Sequence, residues 1–383
     1  MDISFITQDL RDLRAHFNQH GFDLRLVGGV VRDTLAGLPP KDLDLATDAK
    51  PHEQVEIYNA HGYRWIGTGM DHGTITVMLG DEPHEITSLR VDVETDGRHA
   101  KVAFTSDWEA DLGRRDLTIN AMAMTFDGRL IDPFGGADDL ANGVVRFVGN
   151  AEARIREDYL RILRFYRFYG RFGRGGIDSQ TRQAIASNVY GLQQISRERI
   201  WSEFQKILPQ AASPAIMIDM VQGVGINHHI DLPYNNVSWP RWWLHKALTI
   251  TNDPAVLMAA WCCYDPVNVE SVAKSWKWSN ADRDHAMWLC NNVRCKRDLR
   301  WLIAVEGAPR EWVAELAALE ERDGWEQNAL VQWVFAPFPV NGNDLIAAGV
   351  KPGAAMGKML RMLKESWAHS SYSATKEELL KLI

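Results

Sequence analysis

Asp42 and Asp44 stand two residues apart, alternating with Leu43 and Leu45. In a strand, residues at this spacing point to one face, so the Asp-x-Asp projects two carboxylates together. Such hard oxygen ligands suit Mg²⁺, which keeps open positions for phosphate. One ion can activate an attacking hydroxyl while another neutralises a triphosphate. Alone, an Asp-x-Asp is usually a solvated strand edge. Here it follows a short strand, Leu24 to Val27, then Gly28-Gly29 and a helix from Val30 to Ala36. Glycines carry no Cβ, so their backbone N–H groups can approach a phosphate closely. Arg32, in the first turn of that helix, adds charge to the same anion. Asp42 and Asp44 are thus the catalytic and metal candidates. Glu85, beside His84 in a later strand, is a third carboxylate candidate; an ordinary exposed strand Glu fits it equally.

Arg114-Arg115-Asp116 and Asn120 form the next dense cluster. Two arginines beside an Asp can bind a phosphate and a ribose hydroxyl together. A structural ion pair with Asn120 capping a strand is the plainer alternative. Farther on, Glu157, Asp158, Arg161, Arg164 and Arg167 share a stretch with Ile155, Leu160, Leu163, Phe165, Tyr166 and Phe168, which read as core contacts of one helix. On a helix, Asp158 and Arg161 are i,i+3 and Glu157 and Arg161 are i,i+4, one face for all three. Cytosine and adenine each present an amino donor beside a bare ring-nitrogen acceptor; guanine and uracil do not. An Asp acceptor beside an Arg donor matches that edge. A mismatched, unpaired polar group costs about 1–3 kcal/mol, roughly tenfold to hundredfold in selectivity. A surface ion pair of little worth is the alternative.

The elements that must position these residues divide into two kinds. Up to residue 150, strands and helices alternate: Pro51 to Gly62 is helical, and Gly73 to Leu79 and Glu85 to Leu89 pair across a Gly80-Asp81-Glu82 turn. Ala121 to Phe126 and Arg129 to Ile131 make another hairpin across Asp127-Gly128. Arg90 to Lys101 is charged and weakly patterned and reads as a mobile loop. Beyond Gly149, strand signals fade, and 13 of the 15 tryptophans lie at or past Trp201, mostly as core filler in helices. The fold class is mixed α+β: a catalytic head over 1–150, then all-α modules at 151–215, 216–335 and 336–383. The net charge of −8 is weak evidence against nucleic acid, but Glu152 to Gly175 holds seven arginines, a basic strip inside an acidic chain. The chain has no signal-peptide core and no stretch able to span a bilayer, so a soluble, cytoplasmic setting is expected. Four cysteines without a Cys-x-x-Cys pair read as buried, reduced thiols. Gly353 to Lys358 lacks the spacing and Ser/Thr of a P-loop.

The segments LVGGVVRD (26–33), KDLDLAT (41–47), HEITSLR (84–90), RRDLTINA (114–121), IDPFGG (131–136), EDYLRILRFYRF (157–168) and LQQISRERIWSE (192–203) resemble, in this order, the class II tRNA nucleotidyltransferase/poly(A) polymerase family, most closely its CCA-adding members. NGNDLIAAGVKPGAAMGKML (341–360) extends the likeness, while 216–335 matches no motif. The resemblance implies a polymerase-β-like head with a small mixed sheet, then an all-α neck, body and tail. It implies Mg²⁺ on Asp42 and Asp44, and nucleotide contacts from Gly28, Gly29, Arg32, Arg115, Asp116, Asn120, Glu157, Asp158, Arg161, Arg164 and Arg167. It implies addition of C, C and A to the 3′ end of tRNA from CTP and ATP, with Asp158 and Arg161 as a protein template. The helical body and tail would hold the acceptor and TΨC arm of the tRNA, with Lys351, Lys358, Arg361 and Lys364 as candidate phosphate contacts or, equally, a solvated basic helix face; no membrane or obligate protein partner is implied. The loop at Arg90 to Lys101, with Asp92, Asp96 and Arg98, matches the family's loop for terminal A addition. Poly(A) polymerase or an A-only enzyme is the nearest rival. A non-catalytic RNA-binding protein on this fold is another, disfavoured by intact Asp42, Asp44, Arg115 and Asp158.

Overall fold

The computed structural model describes residues 3–40, 42–95, 100–210, 219–233, 241–322 and 337–383. The chain divides into two compact units, Met1–Leu232 and Pro233–Ile383.

In the first unit, the Thr7 hydroxyl accepts from Leu10 N and starts α1 (Gln8–Gln19). Leu10, Leu13 and Phe17 recur at helical spacing on α1 and are fully buried. Then come β1 (Leu24–Val27), α2 (Gly29–Leu35), β2 (Leu45–Thr47), α3 (Pro51–Ala60), β3 (Arg64–Gly69), β4 (Thr74–Leu79) and β5 (Glu82–Ser88). They are followed by β6 (Arg90–Thr95), β7 (Ala100–Phe104), α4 (Trp108–Gly113), β8 (Ala123–Met124), β9 (Leu130–Ile131) and α5 (Gly136–Asn142). Four helices close the unit's main framework: α6 (Ala151–Glu157), α7 (Leu160–Phe172), α8 (Ser179–Asn188) and α9 (Arg197–Gln210).

Seven strands form one mixed sheet in the order β3-β4-β5-β2-β1-β8-β9. β2 and β5 run parallel; the other neighbours are antiparallel. On one face Leu24, Leu26, Leu45, Ile75, Val77, Ile86 and Met124 meet Leu10, Leu13, Phe17, Ile57 and Tyr58 of α1 and α3. Each such buried aliphatic side chain contributes about 1.5–3 kcal/mol. The other face packs Val27, Ala46 and Ala123 with Leu89 and with Leu112 of α4. Because β1 and β2 are antiparallel, the turn after Val27 and the residue before Leu45 lie at one end of the sheet, and Val27 N donates to Asp44 O.

Three local expectations are corrected. The strand holding Asp42 and Asp44 starts only at Leu45, with Asp42 in a bend, because the ladder to β1 ends at the Asp44 carbonyl. Residues 90–95 and 100–104 form a two-stranded antiparallel hairpin rather than a loop. Val91 and Val93 alternate with charges in the sequence, and the pairing satisfies the backbone groups. Asp96 and Arg98 lie outside the described residues. The strand expected over Ala121 to Phe126 shrinks to Ala123–Met124, behind a 3₁₀ turn at Thr118–Asn120.

The described parts of the second unit are helical. Asp253, Asp265, Ser279 and Asp298 each cap a helix with their side chains. Trp261, Trp276 and Trp367 are fully buried fillers. Of the cysteines, Cys262 is buried and Cys295 is exposed, so burial is not general to the four; all are free thiols. Among the described residues no helix is long and apolar enough to cross a membrane.

His285 lies between Glu315 (2.8 Å) and Asp253 (3.6 Å), stacked on Trp312. Burial opposes its charge, but the two carboxylates outweigh burial and raise it to about 9. A raised histidine stabilises fully below its ordinary value of 6.5 and loses that contribution as pH rises through about 9. Melting curves of the wild type and His285→Gln should therefore differ most near pH 6.5 and converge by pH 9.5 to 10. A gap that does not narrow would rule out the charged histidine.

Candidate active site

Gly28 ends β1 with φ +69°, a left-handed conformation that side chains disfavour. A Cβ there would also lie 2.6 Å from Arg115 Nη1, so the guanidinium rests on bare backbone. Gly29 opens α2 with Asp44 Oδ2 and Arg32 Nη2 each 3.7 Å from where its Cβ would be. Arg32 is buried. Its Nε donates to Asp33 Oδ1 (3.0 Å), its Nη1 donates to Asn120 Oδ1, and it stacks over Phe168 and Phe172. Burial lowers its pKa.

Leu45 pairs with Ile86 in parallel register and both point into the core. Asp44 and Glu85, one step earlier on each chain, therefore emerge on the opposite face. Burial raises the Asp44 carboxyl, as do the nearby charges of Asp42 and Glu85; Arg115 and Arg32 pull it down. Asp44 thus lies in the field of both other carboxylates. Among the described residues, however, no three His, Cys, Asp or Glu side chains converge on one point at ligating distance.

The Arg114-Arg115-Asp116 cluster splits, both arginines turning to Asp111 and Asp116 to α7. Arg114 Nε donates to Asp111 (2.9 Å). Arg115 reaches Asp111 at 3.5 Å, and its Nε is buried without a hydrogen-bond partner. Asp116 Oδ2 accepts from Arg164 Nε (2.6 Å), while Oδ1 accepts from Leu117 N and Asn120 Nδ2. Burial works against the Asp116 charge, but Arg164 and Asn120 outweigh it and hold the carboxyl down to about 2.

The single helix expected through Glu157 to Phe168 is corrected. α6 ends at Glu157, Asp158 is extended (φ −154°, ψ 109°), and α7 begins at Leu160. Asp158 and Arg161 therefore do not share a helix face. Asp158 Oδ2 accepts from Arg199 Nη2 (2.7 Å) and Oδ1 from Leu160 N (3.1 Å). Arg161 pairs with Glu157 (2.6 Å), and Arg167 with Glu203 (3.1 Å). A cavity of about 460 Å³ gathers Gly28, Gly29, Arg32, Asp44, Arg115, Asp116, Asn120, Asp158, Arg161 and Arg164, together with Arg114, Leu160, Phe168 and Arg199. Asp42, Glu85, Glu157 and Arg167 are not among its lining residues.

Residues 24–146 match the family model described as the poly A polymerase head domain, and 176–228 match one described as a probable RNA and SrmB-binding site of polymerase A. The mouse (Mus musculus) mitochondrial CCA tRNA nucleotidyltransferase 1 is 38% identical over 99% of this chain and 91% of its own length. A CCA-adding enzyme of Bacillus cereus is 30% identical over 94% of this chain and 93% of its own. The chain belongs to the CCA tRNA nucleotidyltransferase family. The crystal structure of the Bacillus stearothermophilus CCA-adding enzyme in complex with CTP superposes with a TM-score of 0.81 at 27% identity, covering all of this chain and 97% of that one. The mouse relative is mitochondrial by name, so the family is not confined to the cytoplasm.

Three residues that the sequence pattern left without a role, Asp111, Arg199 and Glu203, stand out in this member of the family, as does Phe168, which the pattern assigned to the core. Arg199 and Glu203 are i,i+4 on α9; Glu203 meets Arg167 of α7, and Arg199 meets Asp158, two residues before that helix. That spacing, inside LQQISRERIWSE, was their only sequence signal. Phe168 lies under the guanidinia of Arg32, Arg164 and Arg167, 4.5 to 5.9 Å from each.

Gly28→Ala should strain a left-handed residue by about 1–2 kcal/mol and displace Arg115. We expect a lower melting temperature and a nucleotide KM raised about tenfold, the value of one charged contact. Gly29→Ala meets only ordinary contacts and should do less to both. Equal effects of the two, read by steady-state kinetics, would contradict the close approach of Arg115.

Proposed function

We propose that this chain adds C, C and A, one residue at a time, to the 3′ end of tRNA, using CTP and ATP and releasing pyrophosphate. The observation that carries this reading is the shared cavity: anion-seeking groups at one side, an Asp acceptor among guanidinium donors at the other. The Gly28-Gly29 backbone, Arg32 and the unsatisfied Nε of Arg115 would receive the triphosphate. Asp158 keeps lone pairs beyond its bonds to Arg199 and Leu160, and these would accept from the amino group of cytosine or adenine. Arg161, or Arg199 beside it, would donate to the bare ring nitrogen. Guanine and uracil present the opposite pattern and leave both groups unpaired.

Asp42 and Asp44, with the charge of Glu85 also acting on Asp44, offer only hard oxygen donors, which fits a divalent cation such as Mg²⁺. When bound, the cation would lower the pKa of the 3′-hydroxyl and neutralise charge on the α-phosphate. The chain's own part is to hold the triphosphate and base so that the hydroxyl meets the α-phosphate in line. Similarity to a CTP-bound relative and to CCA-adding enzymes over nearly the full length supports the same reading.

Two measurements check it. Offered tRNA ending before CCA and each nucleoside triphosphate singly, the protein should incorporate CMP and reject UMP and GMP; incorporation of AMP alone would convert the reading to an A-only enzyme. Asp44→Asn should lower kcat about 100-fold or more, because several kcal/mol of charge stabilisation are lost at about 1.4 kcal/mol per tenfold. An unchanged kcat would remove the metal role.

A further inference from the structure

From Ala151 to Phe172 the chain has no proline and a single glycine, Gly170, so local propensity favours one unbroken helix. The structure breaks it at Asp158, with Tyr159 returning to helical dihedrals (φ −62°, ψ −18°). A break forfeits i→i−4 bonds, and other contacts must compensate. Two are local: Asp158 Oδ1 accepts from Leu160 N, and the Arg154 carbonyl accepts from Arg161 Nη1. Others reach a downstream segment. Arg156 Nε donates to Asn188 Oδ1 (3.2 Å), and Asp158 meets Arg199 (2.7 Å). The Tyr159 ring lies flat on the backbone of Gly191: a Cβ there would overlap ring atoms Cγ, Cδ1 and Cε1. Gly191 is buried in a 3₁₀ turn, Val189–Gln194, and Tyr190 stands 6.0 Å from the Tyr159 ring.

We propose that Tyr159 and Gly191 are positioning residues for base selection: the ring seated on bare glycine backbone holds the chain extended at Asp158 and so aims its carboxylate into the cavity. This rests on the reading of Asp158 as the base acceptor. The competing state is the continuous helix that residues 151–172 favour locally, in which Asp158 leaves Arg199. No side chain fits at position 191 while the ring is seated, so the two residues act as one lock. The hydroxyl of Tyr159 is secondary to its flat face.

The test is single-turnover incorporation from CTP against UTP, and from ATP against GTP, on tRNA acceptors of matching length. Tyr159→Ala and Gly191→Ala should each lower both selection ratios about tenfold or more, with the KM for tRNA held, while Tyr159→Phe stays within about twofold of wild type. Amide exchange at Leu160 should quicken in the first two variants only. If Tyr159→Ala fails to fold, Tyr159→Leu, bulky but not flat, carries the same expectation. Unchanged ratios in a folded Tyr159→Ala, Tyr159→Leu or Gly191→Ala protein overturn the lock. Asp158→Ala run alongside separates the two ideas. If it leaves the ratios intact, the acceptor role of Asp158 falls; if it collapses them while the Tyr159 and Gly191 variants do not, only the lock falls.

Discussion

The Asp116 carboxylate is buried, yet it stays ionised because each oxygen is engaged. Arg164 of α7 bonds one oxygen; Asn120 and the Leu117 amide bond the other. Asn120 in turn accepts from Arg32 on α2. This group joins the sheet end that carries Gly28 and Asp44 to the helix that follows Asp158, beside the stacking of Arg32 on Phe168 and Phe172 and the Arg171–Asp33 ion pair. Removing one partner of such a pair strands a buried charge, which costs far more than the pair itself contributes. Among these ties the Asp116–Arg164 bond is the fully charged, buried one, so the distance from phosphate-binding turn to base-reading residue depends on it most.

The same rule governs the rest of the cavity. Its guanidinium groups would repel one another if each stood alone. Each is instead set beside a carboxylate: Arg32 by Asp33, Arg114 and Arg115 by Asp111, Arg161 by Glu157, Arg199 by Asp158. Phe168 supplies a ring face to three of the cations without adding charge. The result is a set of donors oriented before any anion arrives, so little reorganisation remains for binding. Arg115 is the exception, with one buried N–H left over, and it lies directly on Gly28.

What the amino-acid pattern shows, and what it hides, follows the range of the interactions. The Gly28-Gly29 turn and the hairpin of β4 and β5 rest on neighbours in sequence, and they were legible. So was the list of charged residues in Arg114–Asp116 and Glu157–Arg167, because their density is itself a signal. Which acid meets which base was not. Asp158 was paired on paper with Arg161, three residues away; in the fold it meets Arg199, and Arg161 keeps Glu157. The break at Asp158 has no local signature either, since it depends on a segment that arrives some thirty residues later to seat Tyr159. The β6–β7 hairpin was hidden for another reason: its alternation is short and half charged, and it resembles a loop until its strands pair.

The dependence on Asp116 can be measured by a double-mutant cycle on CTP affinity with Asp116→Asn, Arg164→Gln and the two together. If the bond between them sets the site, the double variant should bind CTP about as weakly as the worse single variant, a strong coupling between the two positions. Losses that simply add would mean that each residue meets the nucleotide independently, and the buried bond would not be what holds the site together.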